Sequence, residues 1–141
     1  MKDRKYYLVD IRCVEESDGK LIVAESGNQV PFDIKRIFCV KDVGEGQERG
    51  THATKKTKLI LVPLSGACDV EVDTGTHKEV FHMDTPAKGL YIDEMIWRTM
   101  RNFTPDCVML AMADRVFDAK NETYNDYDEF IAAVKSEDDN G

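Results

Sequence analysis

Turn punctuation limits what this chain can fold into more than any other feature. From Lys5 to about Asp114, apolar runs of strand length are repeatedly cut off by Gly, Asp, Asn, Ser or Pro. The runs are KYYLVDIRCV, LIVAES, IKRIFCVKDV, KLILVPLSG, CDVEVDTGT, HKEVFHM, GLYID, MIWRTMRNF and CVMLAMAD. Short strands at near-even spacing with polar turns between them predict an all-β sandwich or small barrel. SDGK reads as the turn after the first run, and Ser65-Gly66 as the turn of a hairpin joining KLILVPLSG to CDVEVDTGT. Asp73, Thr74 and Gly75 supply the turn into HKEVFHM. Only NDYDEFIAAVKSE changes period. Its Tyr127, Phe130, Ile131 and Val134 recur at three- and four-residue spacing. That predicts a short C-terminal helix over about 125–135, capped by Asn125 or Asp126, followed by a frayed acidic tail over 136–141.

Composition narrows the function. No internal repeat or linker divides the 141 residues, so a single domain spanning 1–141 is expected. A net charge of −8 argues against nucleic acid, whose binding depends on phosphate neutralisation, but leaves room for a small phosphorylated ligand. No apolar run approaches the roughly 20 residues of a membrane span, and MKDRKYYLVD lacks the apolar core of a secretory signal. Cys13, Cys39, Cys68 and Cys107 sit apart, each inside an apolar run, and read as buried small hydrophobes of a cytoplasmic protein.

The stretch RGTHATKKTKLILVPLSG raises the chemical question. Gly46, His52, Thr54, Lys58 and Gly66 trace a first cupin motif, and Pro86 and Gly89 resemble the start of the second, which ends at Arg98. The all-β reading therefore sharpens to a cupin β-barrel, or jelly roll, with His52, Thr54 and Lys58 on the inner face. Of the metal ligands such motifs supply, only His52 is present, and Lys58 and Arg98 are cations that repel a divalent metal. No metal is expected. Over most of the chain, from about Asp18 to Phe130, RGTHATKK, GLYIDEMIWRTM and the closing YDEF are together similar to the dTDP-sugar 3,4-ketoisomerases. The resemblance implies a dTDP-4-keto-6-deoxyhexose as substrate, dTDP-4-keto-6-deoxyglucose in particular, and a place in 3-amino-3,6-dideoxy sugar biosynthesis. It also implies a homodimer, with Tyr6 and Tyr7 in a strand exchanged between subunits. That family carries a second histidine where Thr54 stands. It implies too that the Arg98 and Asp18 positions bear on the configuration at C4, arginine at the former going with the gluco product.

Elementary chemistry fits the same residues. Moving a ketone from C4 to C3 requires loss of the C3 proton, an enediolate, and reprotonation at C4. One imidazole with a pKa near 6.5 suits both halves of that transfer, and no cofactor is needed. Arg98, with Lys58, would stabilise the charge growing on the sugar oxygens, and Thr54 can donate a hydrogen bond. For the diphosphate, Arg49 is the first choice because guanidinium engages phosphate oxygens in pairs; Arg36, Lys55, Lys56 and Arg101 follow. Trp97 should point away from Arg98 and pack, and His77 and His82 read as structural. Two other classes fit the same residues: a sugar-nucleotide epimerase, and a non-catalytic module that only binds the nucleotide sugar.

Overall fold

The structure, a computed structural model, describes residues 5–120 and 122–140. Its first sheet has the strand order β1 (Tyr6–Asp10), β9 (Lys88–Ile92), β6 (Leu59–Ser65), β11 (Val108–Ala113), β4 (Arg36–Lys41). The second runs β12 (Thr123–Tyr124), β5 (Arg49–Thr54), β10 (Trp97–Arg101), β7 (Cys68–Asp73), β8 (Lys78–Met83). A separate hairpin joins β2 (Arg12–Glu16) to β3 (Gly19–Val23), and α1 (Tyr127–Asn140) closes the chain. The named strand pairs are antiparallel, and consecutive strands repeatedly change sheet, which is the jelly-roll form of a cupin barrel.

Alternation along the strands divides the apolar residues into three bodies. Leu59, Leu61, Val70, Val72, Leu90, Met109 and Ala111 point between the sheets and form the main core. Ile60, Val62, Tyr91 and Met112 point out of the first sheet, where Ile11, Ile22, Val30 and Phe32 cover them. Ala53 and Trp97 point out of the second sheet against Phe130 of α1. Trp97 meets Tyr127 edge-on, with ring centroids 5.3 Å apart, so the helix seals the back of the strands that carry the site.

Several boundaries differ from the sequence reading. KYYLVDIRCV is two strands, broken at buried Ile11, whose N–H donates to the Ala87 carbonyl. Ser65-Gly66 is no hairpin turn: β6 pairs with β11 and β9, while β7 pairs with β10 and β8, so the turn carries the chain from one sheet to the other. The Asp73–Gly75 turn does make a hairpin, closed by Thr74 N–H to the His77 carbonyl. Asp126 is the helix cap, its carboxylate accepting from Glu129 N–H at 3.1 Å. The helix then runs through the acidic stretch to Asn140, since no Gly or Pro stops it before Gly141, which lies outside the described residues. Cys39 is exposed because it alternates outward on β4, whereas Cys68 and Cys107 are buried and all four cysteines are free. β1 pairs with β9 of its own chain. No helix among the described residues is long and apolar enough to cross a membrane.

Candidate active site

Sheet register brings His52 and Arg98 together. In the β5–β10 pair, Arg98 lies directly across from His52, and Trp97 across from Ala53. Met95, held at φ 61, donates its N–H to the Thr54 carbonyl and ties down the end of this pairing. With Ala53 and Trp97 turned outward, His52, Thr54 and Arg98 turn into the barrel, where they line a cavity of about 500 Å³. A bulge lies just beyond them: three steps along β5, from His52 to Arg49, match two along β10, from Arg98 to Met100. Without it Arg49 would fall on the face opposite His52; with it, Arg49 also lines the cavity, from an exposed position. Gly50 permits the bulge by taking φ 67, and a Cβ there would come within 3.0 Å of Met100 Cε.

Arg98 is 4% exposed. Its Nη2 stands 3.1 Å from His52 Nε2. Guanidinium has donors only, so Nε2 accepts and the proton of the neutral ring sits on Nδ1. Burial, and after it the Arg98 charge, push His52 down to about 4, with Glu122 pulling the other way. Burial also lowers Arg98, to about 10. Near neutral pH the site is thus a neutral imidazole beside a cation. An imidazole near 6.5 was expected, and the difference comes from placing the ring inside the barrel against a guanidinium. Arg98 Nη1, also buried, has no hydrogen-bond partner among the described residues.

The other expected residues divide. Arg36 lines the cavity and pairs with Glu122 through Nη2–Oε1 at 2.8 Å and Nη1–Oε2 at 3.3 Å. Thr54 lines it too, but its hydroxyl proton goes to the Thr57 carbonyl at 2.7 Å, which leaves only its lone pairs for a ligand. Lys58 does not reach the cavity. It has the parity of outward-facing Ile60, while inward-facing Leu61 shares parity with Leu59 and Thr57. Asp18 lies in the turn of the β2–β3 hairpin and is absent from the wall of its own chain's cavity. Lys55 and Lys56 line a separate groove with Lys35 and Arg115, and Arg101 is occupied by Glu48 and Glu71. His77 and His82 are exposed; His82 Nδ1 meets Asp69 at 2.7 Å, away from the cavity.

Glu122 is the residue that sequence reasoning missed. It is 8% exposed, accepts from Thr57 Oγ1 at 3.2 Å besides Arg36, and lines the cavity. Its backbone carbonyl accepts from Lys55 N–H, and the β12 strand that follows pairs with β5, so a distant segment sets it beside the site. KNETYND has no periodicity, and nothing local marks this carboxylate as buried.

Many cupins hold a metal at these strand positions, and the residues here do not fit one. The imidazole nitrogen facing the cavity already accepts from Arg98, the Thr54 hydroxyl proton is committed to a carbonyl, and Glu122 is engaged by Arg36. Among the described residues, no group of three or more His, Cys, Asp or Glu is arranged to hold a metal.

Fold and site together define a cupin whose cavity is lined by a histidine hydrogen-bonded to a buried arginine. The chain belongs to the FdtA family, described as WxcM-like, C-terminal, whose model matches residues 4–135. It is 33% identical over 132 residues to a TDP-4-oxo-6-deoxy-alpha-D-glucose-3,4-oxoisomerase of Aneurinibacillus thermoaerophilus, covering 92% of this chain and 95% of that protein. Among solved structures it resembles WlaRA, a TDP-fucose-3,4-ketoisomerase of Campylobacter jejuni, with 33% identity, 93% and 96% coverage and a TM-score of 0.86. It also resembles QdtA, a sugar 3,4-ketoisomerase of Thermoanaerobacterium thermosaccharolyticum in complex with TDP, with 28% identity, 94% and 96% coverage and a TM-score of 0.90. A variant of QdtA is also known in complex with TDP-4-keto-6-deoxyglucose.

Proposed function

We propose that this chain is an isomerase that moves the ketone of dTDP-4-keto-6-deoxyglucose from C4 to C3, with His52 as the acid–base residue and Arg98 stabilising the enediolate. The observation that carries the reading is the imidazole–guanidinium pair facing the cavity, 3.1 Å apart. His52, neutral at pH 7, takes the C3 proton, which the adjacent carbonyl acidifies. Charge then builds on the sugar oxygens, where the unpartnered Nη1 of Arg98 offers a donor in a buried setting. A sugar oxygen that also draws Nη2 away from the imidazole would free the base, and its negative charge would raise the basicity of His52 as the proton arrives. The remaining hydroxyl proton passes from O3 to O4 within the enediolate, and the imidazolium returns its proton to C4. One C–H and one O–H bond break and one of each forms, so the transfer needs neither a redox partner nor a second imidazole at Thr54.

The decisive experiment is incubation with dTDP-4-keto-6-deoxyglucose in deuterated water, followed by NMR. Migration of the ketone to C3 is expected, with label at C4 to the extent that the imidazolium exchanges its proton with solvent before returning it. An epimerase would label the sugar and keep the ketone at C4, whereas a pure binding module would leave the sugar unlabelled. His52→Asn should lower turnover by about 10²-fold or more, and a change confined to binding would remove His52 from the chemistry.

The diphosphate is assigned to Arg49 at the rim, and the product to the pool that feeds 3-amino-3,6-dideoxy sugars. A homodimer is part of the same proposal. Asp18, at the tip of a two-stranded hairpin outside its own cavity, could bear on C4 only in the cavity of a second copy. Sedimentation should give twice the chain mass at micromolar concentration, and a monomer there would leave Asp18 without a role.

A further inference from the structure

Arg36 is held on several sides. Its guanidinium carbon lies 5.3 Å from the centroid of Phe38 and 5.5 Å from that of Phe117, so aromatic rings flank it. Both terminal nitrogens are taken by the carboxylate of Glu122, which the Thr57 hydroxyl holds in turn. Of its three nitrogens only Nε is buried with no hydrogen-bond partner among the described residues. A buried guanidinium N–H without an acceptor is costly, and a site that retains one is shaped for an oxygen brought by a ligand. Arg36, Phe38, Phe117 and Glu122 all line the cavity that holds His52.

We propose that Glu122 is a positioning residue, whose carboxylate fixes the Arg36 guanidinium so that its Nε–H binds an anionic oxygen of the substrate's diphosphate. This rests on the nucleotide-sugar reading above and adds a second anchor to Arg49. Two roles for Glu122 predict opposite results on removal. If it acted only as a negative charge in the cavity, its loss would tighten binding of an anion. If it orients Arg36, its loss weakens binding although the cavity becomes more positive.

Calorimetric titration with dTDP reads that sign. Glu122→Gln should weaken dTDP binding by about tenfold, the scale of one charge-assisted hydrogen bond. Arg36→Gln should do the same, and the double variant should be no worse than either alone, because both changes remove one contact. Unchanged or tighter binding by Glu122→Gln, or additive losses in the double variant, overturns the assignment. Should the variants fail to fold, the wild-type chain decides: its Arg36 Nε–H resonance is expected to move on addition of dTDP, and a stationary signal in a protein that binds dTDP and isomerises the sugar overturns this assignment alone. A wild-type protein that neither binds dTDP nor isomerises the sugar overturns the ketoisomerase reading with it.

Discussion

Burial does two things to His52. It keeps the ring neutral at physiological pH and, in the proposed reaction, makes the imidazolium formed there an acid that gives its proton back readily. The pH dependence should show this. The kcat/KM profile of an enzyme reports the ionisation of its free form. Since His52 lies at about 4 in the free protein, kcat/KM should stay level from neutral pH down to about 5 and fall only as pH passes through the region of 4. A fall centred near the unperturbed 6.5 would show that the ring is not held against Arg98 as described. Arg98→Lys sharpens the test. Lysine keeps the charge but, being a point donor on a flexible stem, does not reproduce both the bond to Nε2 and the free Nη1 donor.

At the level of elements, the turns position the site. Gly66 carries the chain from β6 in one sheet to β7 in the other at φ 65. A Cβ there would strike Thr104 Oγ1 and come within 2.7 Å of Cys107 Cα. Gly66→Ala combines left-handed strain with a backbone clash, so a loss of more than about 2 kcal/mol is expected from urea denaturation. A loss under about 0.5 kcal/mol would show that the crossing relaxes freely. The same turn shows what a single sequence reveals. Glycine after serine announces a turn, but hairpin and sheet-to-sheet crossing share that local chemistry, and only the partners chosen by β6 and β7 distinguish them. His52 and Arg98 were legible because alternation and motif spacing are local properties of strands. Arg49 was legible as a residue type, though its inward aim depends on a bulge. Lys58 was misplaced because one residue of register separates the inner face from the outer, and no turn signal fixes that residue. Glu122 was invisible, since its burial comes from a partner strand far back in the chain.

Across the whole molecule, two histidines pull stability in opposite directions with pH. His52 is depressed in the folded state, so it binds a proton more readily when unfolded, and its contribution is present above about 6.5 and lost as pH falls toward about 4. His82 is raised, chiefly by its hydrogen bond to Asp69. Its contribution is present below the unfolded pKa and fades as pH rises through the folded one. The two effects differ in weight. His82 is exposed on β8, where water and salt screen the pair, whereas His52 is enclosed with Arg98 and must be ionised inside the barrel. The acid side should therefore dominate. Melting temperature measured from pH 7 to pH 4 should fall, and His52→Asn, which carries no ionisable group, should flatten that fall between about 6.5 and 4. His82→Gln should leave the slope in that window almost unchanged at 0.15 M salt. Equal slopes for wild type and His52→Asn would mean that carboxylates elsewhere govern acid unfolding, and that the imidazole is far less enclosed than its packing against Arg98 requires.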